Sequence, residues 1–393
     1  MSTFPGVCEP SGDTVPAGAQ AGGKWEGVCP PGTKFSKRAP GSYPTALAAH
    51  NSPEPGSAVT HYFSGVDLPL SREYPETILD EASIDVNGVP LSAKRRRDML
   101  LRAAFRFDVD GARRSGGSLE LPVVIENTGA GHKVPAGFSQ EREIWVHLTV
   151  KDGAGSTIYE VGRVTRSDED LHDKVFARVN VSDAFTDRAG NPLGMFGADV
   201  RDGADVQRWE PPPATGATRM RGRGLINFQN GFLRCVRCIG TIAADGSCQP
   251  GPGQGLFRAD RFEDGDYDLD TGECRSNLSG MNALFETYFP VGALDASRGV
   301  VKGPDAIIDT RSMPPNVPIT YTYDLSTQGR RGPFEVQARL LFRAFPPFLV
   351  KAFIDYEREQ TRKGLRPSGP LVTDDALRRL EIVEVARTKV EIP

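Results

Sequence analysis

The sequence lacks the motifs and the long apolar runs that mark most enzymes and membrane proteins. It has five histidines among 393 residues, and it contains no nucleophile elbow, zinc-protease, P-loop or kinase motif. No stretch approaches the roughly 20 apolar residues that cross a bilayer as a helix. We therefore expect no membrane span, and the scarcity of catalytic motifs favours a non-catalytic protein.

A strong excess of charge of either sign is also missing. Lys and Arg number 47 against 51 Asp and Glu, which leaves a net charge of -4. That balance gives no general attraction to nucleic acid, so we expect no nucleic-acid partner. The chain does contain 43 glycines and 31 prolines, a composition that favours turns over long helices.

Alternating apolar residues predict strands in two parts of the chain. In the first part they recur at every second position before and after a glycine-rich loop, as half-buried strands require: Leu119, Leu121, Val123, Ile125, Ile144, Val146, Leu148 and Val150. Similar runs return at 317–325, 334–343 and 380–392. We predict a mainly-β fold, a two-sheet antiparallel β-sandwich whose first strands form a meander.

Composition divides the chain into four segments. Residues 1–57 form an irregular arm rich in Pro, Gly and Ser, and residues 58–162 form the first part of the sandwich. Residues 163–300 form a loop-rich insertion, and residues 301–393 form the second part of the sandwich. Short helices are expected at 92–104 with Ser92 as the cap, near 348–356, and after Thr373. The basic run at 94–97 is expected to face solvent.

The six cysteines fall into two groups. Cys8 and Cys29 lie in the arm and are expected to form one disulfide. The group in the insertion suits two disulfides, a tetrahedral zinc or iron site, or a redox pair at its first two members: Cys235, Cys238, Cys248 and Cys274. Residues 1–8 show no signal-peptide pattern. Paired cysteines in irregular segments nevertheless favour an oxidising compartment, so we expect a periplasmic or extracellular protein.

An acidic loop in the insertion is a candidate cation site. Its carboxylates occupy alternate positions and suit calcium, which prefers oxygen ligands: Asp264, Asp266, Asp268 and Asp270. The spacing is not that of an EF-hand, because Leu269 stands where glycine is needed and Arg275 where a bidentate glutamate is needed. Calcium binding and a solvated acidic loop both remain consistent with this pattern.

The glycine-rich loop between the first strands carries one histidine, His132. Gly129, Gly131 and Gly137 permit tight turns and close backbone approach, and Pro135 stiffens the exit of the loop. A loop of this kind holds an imidazole at the edge of a rigid sheet. The plainer interpretation is that His132 hydrogen-bonds the backbone of its own loop.

These residues resemble a recurrent module of multihaem c-type cytochromes, the β-sandwich that accompanies the haem-binding region. In that family an Asn-x-Gly-x-Gly-His-x-x-Pro-x-Gly loop precedes Arg-x-x-Trp, matched here by Asn127, Gly129, Gly131, His132, Pro135, Gly137, Arg142 and Trp145. Three further segments resemble the family in the same order: His61-Tyr-Phe-Ser-Gly65, Asp309-Thr-Arg-Ser-Met-Pro314 and Arg343-Ala-Phe-Pro-Pro347. The likeness runs from about residue 58 to about residue 350, is poor between about 163 and 285, and has Ala136 where the family usually has Thr.

The resemblance does not imply a covalent haem in this chain. Attachment of c-type haem needs Cys-x-x-Cys-His, and here Ile239 follows Cys238. The family therefore implies a haem-free member that docks with, or forms a structural part of, a multihaem electron-transfer assembly. Its partner would be a multihaem cytochrome subunit or copies of itself. The haem would lie in the partner, with His132 and His61 as candidate axial ligands.

Two other classes of function are open on the residues alone. One is a metal-dependent or redox enzyme that uses the cysteine group or the acidic loop. The other is a carbohydrate-binding or adhesive sandwich, since this architecture hosts many ligands. Exposed aromatic clusters are typical of the second class, and the chain has only three Trp.

Overall fold

The computed structural model describes residues 28–37, 92–136, 142–171, 218–229 and 312–393 as continuous stretches, and elsewhere short strands and isolated bridge positions. Among the described residues, four strands precede the first helix: β1 Ser2–Thr3, β2 Gly6–Pro10, β3 Thr33–Lys37 and β4 His61–Tyr62. Strand β2 pairs antiparallel with β3, and β1 pairs antiparallel with β4. The arm was expected to be irregular, but its described residues contain paired strands.

Helix α1, Ala93–Ala104, begins where the sequence predicts its cap. The Ser92 hydroxyl accepts a hydrogen bond from the Arg95 amide at 3.5 Å, which satisfies one of the free amides of the first turn. One face of the helix is apolar, and its Met99 and Leu100 are buried in a small cluster with residues of the arm. The helix therefore holds the N-terminal arm against the rest of the molecule.

The basic run on α1 is only partly a solvent-facing surface. Arg97 is 8% exposed and lies 2.9 Å from Asp98 and 2.8 Å from Glu381. Lys94 also pairs with Glu381, at 2.8 Å. The expectation of a solvated run is wrong for Arg97, because carboxylates from its own helix and from a distant segment make burial of the cation tolerable.

Five strands follow α1 and carry the first part of the sandwich. A Gly-Gly turn joins the second and third of them, and an Asp-Gly-Ala-Gly turn joins the fourth and fifth. The strands are β5 Phe105–Val109, β6 Arg113–Ser115, β7 Ser118–Asn127, β8 Glu143–Lys151 and β9 Thr157–Val161.

The segment expected to be an insertion contains many short strands. They are β10 Arg178–Val179, β11 Arg208–Glu210, β12 Thr218–Gly222, β13 Gly231–Cys238, β14 Thr241–Ile242, β15 Cys248–Gln249, β16 Phe262–Asp264, β17 Asp266–Tyr267, β18 Cys274–Arg275 and β19 Asn282–Thr287. Strand β20, Ala306–Ile308, follows just beyond it. A five-stranded sheet has the strand order β10-β19-β13-β16, and β20 also pairs with β13.

The C-terminal part returns to the sandwich. Its elements are β21 Ile319–Ser326, β22 Phe334–Arg343, α2 Pro347–Arg362, α3 Asp374–Arg378 and β23 Ile382–Ile392. Thr373 caps α3 as predicted, its hydroxyl accepting from the Asp375 amide at 3.4 Å. No helix in the described part of the chain has the length and apolarity needed to cross a membrane.

Two sheets form the sandwich and confirm the mainly-β fold. One sheet has the order β11-β12-β21-β7-β5 with β6 also paired to β7, and the other has the order β23-β22-β8-β9. A large hydrophobic core takes side chains from both sheets, among them Val123, Tyr321, Val146 and Leu340, all fully buried. Each large apolar side chain buried in this way contributes roughly 1.5–3 kcal/mol.

The expected meander is wrong, because β7 and β8 lie in different sheets. Strand β7 pairs with β5 and with β21, so that Ile125 lies opposite Ile319. Strand β8 pairs with β22 and β9. The glycine-rich loop therefore crosses from one sheet to the other at an end of the sandwich.

The sandwich also contains a parallel pair and a segment from the predicted insertion. Strand β12 runs parallel to β21, which differs from the purely antiparallel sandwich predicted from the alternation. Residues after β12 then cross to the other sheet: the Val146 amide donates to Ile226 at 3.0 Å, and the Phe228 amide donates to Ile144 at 2.8 Å. Ile226 and Phe228 are fully buried, so residues 218–229 are part of the sandwich.

Candidate functional site

The loop that carries His132 is held together from inside by one buried side chain, Asn127. Its Nδ2 donates to the His132 carbonyl at 2.8 Å and to the Met313 carbonyl at 3.3 Å. Its Oδ1 accepts from the Ala130 amide at 3.0 Å. Asn127 is the last residue of β7 and is fully buried, so its hydrogen bonds attach the loop to the end of a paired strand.

A second chain segment, 312–316, clamps the loop from outside. Val134 and Met313 exchange two backbone hydrogen bonds, of 2.9 and 2.7 Å. The Asn316 amide donates to the Asn127 carbonyl at 2.8 Å. The sequence motifs around Asn127 and Met313, which are separated by nearly 190 residues, therefore meet in one structural unit.

The C-terminal end of α1 closes the third side of the loop. The amides of Thr128 and Gly129 both donate to the Ala104 carbonyl, at 2.9 and 3.1 Å. A side chain at position 129 would place its Cβ 2.7 Å from the Ala103 carbonyl oxygen. The glycine at 129 is therefore required by close packing of the backbone against the helix.

His132 itself is exposed, and one of its ring nitrogens is occupied by the loop. Its Nδ1 lies 2.7 Å from the Lys133 carbonyl oxygen. A carbonyl can only accept, so Nδ1 carries a proton, and in the neutral imidazole the lone pair is on Nε2. Nε2 makes no hydrogen bond to any residue that the structure describes. The arrangement combines both sequence-based interpretations: the imidazole bonds its own loop and also presents a free nitrogen.

The Trp145 and Arg343 motifs also meet, on the outer face of the four-stranded sheet. Arg343 is fully buried and its guanidinium lies 5.5 Å from the centre of the Trp145 ring. Its Nε donates to Glu143 Oε2 at 2.7 Å, and its Nη1 donates to the carbonyls of Ser167 and Glu169 at 2.9 and 2.7 Å. This cluster packs residues 162–171 onto the sheet and is structural.

A second histidine, His147, was missed by sequence reasoning. Its Nε2–H donates to Glu160 Oε1 at 2.9 Å, and its Nδ1 accepts from Arg339. Burial chiefly, together with Arg339 and Arg163, lowers the pKa of His147, while Glu160 acts in the opposite direction. The alternation of β8 would have placed His147 on the outer face, but nothing in the sequence indicates its partners on β9 and β22.

The other predicted site residues are described only in part. His61 lies in β4 with its backbone opposite Thr3, and its side chain is outside the described residues. The same holds for the side chains of the cysteine group, whose backbones lie in three strands: Cys235, Cys238, Cys248 and Cys274. Asp264 and Asp266 are strand residues, and Asp268 and Asp270 are outside the described residues.

The cysteines of the arm are joined. Cys8 and Cys29 form the predicted disulfide, and both are buried in the small cluster on α1. Within the residues described, no group of three or more His, Cys, Asp or Glu side chains is arranged to hold a metal ion.

Fold and loop together define a mainly-β protein with a two-sheet sandwich and a clamped, histidine-bearing loop at one end. No protein-family model matches the sequence, and no curated protein matches it. Among solved structures, the chain is similar to the crystal structure of a penta-heme cytochrome c552 from Thermochromatium tepidum. The identity is 12%, the TM-score is 0.30, and the match covers 92% of this chain and 70% of that chain. A TM-score of that size does not establish a common fold.

Proposed function

We propose that this protein is a haem-free, non-catalytic β-sandwich that docks with a multihaem electron-transfer assembly in the periplasm or outside the cell. His132 then supplies an axial ligand to a haem of the partner. The observation that carries the proposal is the state of His132, an exposed imidazole with Nδ1 bonded to the Lys133 carbonyl and Nε2 open.

The chemistry of the imidazole supports this role. A neutral histidine binds a metal through one nitrogen while the other donates to a carbonyl, which sets the tautomer and the orientation of the ring. His132 already has this arrangement with Nε2 as the free nitrogen. Axial ligation by histidine is one of the common ways in which proteins hold haem iron.

The rigidity of the loop supports it as well. Asn127 holds the His132 carbonyl, and Met313 holds the Val134 amide, so the Lys133 carbonyl between them is fixed on both sides. A ligand fixed before docking loses less conformational entropy when the complex forms. This chain would supply one fixed ligand nitrogen, and the partner's haem would supply the redox chemistry.

The test replaces His132 and observes the partner's haem. In a complex reconstituted from the purified native partner, His132→Ala is expected to remove the absorption bands of the six-coordinate haem and to shift its reduction potential. His147→Gln is the matched control, because His147 is committed to Glu160 and Arg339, and it should leave the spectrum unchanged.

Two outcomes separate the parts of the proposal. If the complexes of the wild type and of His132→Ala have the same haem spectrum, His132 is not a ligand, and the docking role is unaffected. Absence of any complex between the purified native partner and wild-type protein, by sedimentation or size-exclusion chromatography, removes docking itself.

A further inference from the structure

Arg142 differs from the buried Arg97 and Arg343 because it has no partner among the residues that the structure describes. It directly precedes β8 and is half-buried, yet it makes no hydrogen bond or ion pair with any residue that the structure describes. Burial lowers the pKa of Arg142 from its ordinary value, and no carboxylate in the described part of the chain opposes that effect. Arg97 and Arg343, by contrast, are each held by carboxylates.

A partly desolvated cation without a counterion is unfavourable in the free protein. The guanidinium is a planar fork of N–H donors that matches a carboxylate with two parallel hydrogen bonds. The side chain is therefore suited to bind an anion of that shape, and the described residues of the free chain do not provide one.

The position of Arg142 links it to the histidine loop. Strand β7 ends at Asn127 and β8 begins at Glu143, so the connection between them contains both His132 and Arg142 at one end of the sandwich. Arg142 is next to the first residue of β8, at the end of the strand where the connection from β7 returns. This places the cation at the rim where a docked partner would meet His132.

We infer that Arg142 is a carboxylate-binding site at the rim that carries His132, completed by a carboxylate of the docked partner. The identity of the partner rests on the proposed function, whereas the site itself is testable in the isolated protein. The carboxylate is either a propionate of the partner's haem or an acidic side chain of the partner.

The first experiment measures thermal unfolding of the isolated protein in acetate and in chloride at equal ionic strength. Acetate should raise the Tm of the wild type, because an anion that binds only the folded state stabilises it. Arg142→Gln should lose that response, and in chloride it should melt at or above the wild-type Tm, since it removes an unpaired charge. Arg106→Gln is the control, because Arg106 is 60% exposed and pairs with Glu126, and it should respond to acetate as the wild type does.

A measurement on the wild type alone protects the test against a variant that does not fold. The Arg142 Nε–H resonance should move on titration with acetate and remain still with chloride. Identical Tm values in the two salts, or an Arg142 resonance that ignores acetate, would overturn the inference.

The second experiment identifies the source of the carboxylate. Free haem and its dimethyl ester are titrated into the isolated protein, and binding through His132 is followed by absorbance. If propionates are the ligand, Arg142→Gln should weaken binding of haem by about 10–100-fold, as loss of a supporting group typically does, with binding of the ester unaffected. If haem and ester bind equally to both proteins while the acetate response persists, the carboxylate belongs to the partner protein.

Failure here and failure of the proposed function give different results. His132→Ala should abolish binding of haem and of the ester while keeping the acetate response. Wild-type protein that binds no haem but keeps the acetate response would overturn the ligand role of His132 alone. Wild-type protein that binds haem through His132 but shows no acetate response would overturn the Arg142 site alone.

Discussion

His132 and His147 show how surroundings assign opposite roles to the same side chain. In His132 the Lys133 carbonyl places the proton on Nδ1 and leaves Nε2 open. In His147 the Glu160 carboxylate accepts from Nε2–H, and Arg339 donates to Nδ1. The first histidine therefore has one ring nitrogen, Nε2, open for coordination, whereas both ring nitrogens of the second are hydrogen-bonded within the sheet.

From the lowered pKa of His147 we predict that the free energy of unfolding decreases at acid pH. Its pKa is lowered in the folded protein, with burial the first cause, while the unfolded value is about 6.5. The folded state then binds fewer protons, so this contribution to the free energy of unfolding is fully present above about pH 6.5 and is lost as pH falls below it. Urea unfolding between pH 8 and pH 5 should show wild-type stability approaching that of His147→Gln as pH decreases.

Several charged groups face His147 and contribute to its pKa. They are Glu160 on β9, Arg339 on β22 and Arg163 beyond β9, with Glu384 paired to Arg339 at 3.6 Å. His132→Ala changes an exposed histidine and should follow the wild-type pH dependence. Parallel curves for the wild type and His147→Gln would mean that His147 does not titrate in this range.

At the scale of elements, the loop and α1 are coupled through backbone contact. Gly129→Ala would bring a Cβ to 2.7 Å from the Ala103 carbonyl oxygen and 2.8 Å from the Ala104 Cα. Backbone atoms of a helix do not yield easily, so the loop must move away from α1, at a cost of about 1–3 kcal/mol. Thermal or urea unfolding measures this loss of stability.

The chain offers a matched control for that substitution. Gly117 lies in the turn between β6 and β7, its φ is not positive, and nothing lies within 4 Å of an added Cβ. Gly117→Ala should leave stability unchanged or raise it slightly, because alanine restricts the unfolded chain. Equal losses at both positions would show that the packing of Gly129 on α1 is not the cause.

At the scale of the whole molecule, the buried pair of Arg343 and Glu143 joins β22 and β8 of the four-stranded sheet to residues 162–171. Arg343→Leu would leave the Glu143 carboxylate, 2% exposed, without its counterion. It would also free the carbonyls of Ser167 and Glu169. Breaking one side of a buried pair typically destabilises by about 3–5 kcal/mol, which equilibrium urea unfolding should detect.

Two comparisons test this interpretation of the pair. Arg387→Leu breaks an exposed pair with Glu384 and should cost about 0–1 kcal/mol. The double variant Glu143→Leu, Arg343→Leu removes both charges and should be more stable than Arg343→Leu alone. A double variant that loses the sum of the single effects would contradict a coupled pair.

Much of the local structure was predictable from the sequence because it depends on neighbours in the chain. Ser92 and Thr373 cap helices where they were expected to, and the alternation of Leu119 to Ile125 marks a strand with one buried face. The glycine-rich loop was likewise identified from its own residues. Exposure of Arg97 was predicted wrongly, because its partner Glu381 is distant in sequence.

The sequence by itself determined the positions of the main strands and helices of the sandwich and their turns, since periodicity, capping and glycine act over a few residues. It also showed that no Cys-x-x-Cys-His is present in the chain. Only the tertiary structure decided that β7 and β8 lie in different sheets, that Arg343 stacks on Trp145, and that Arg142 has no counterion among the described residues. Alternation specifies which face of a strand is buried, but the neighbour across the sheet and the partner of a charge come from parts of the chain that only folding brings together.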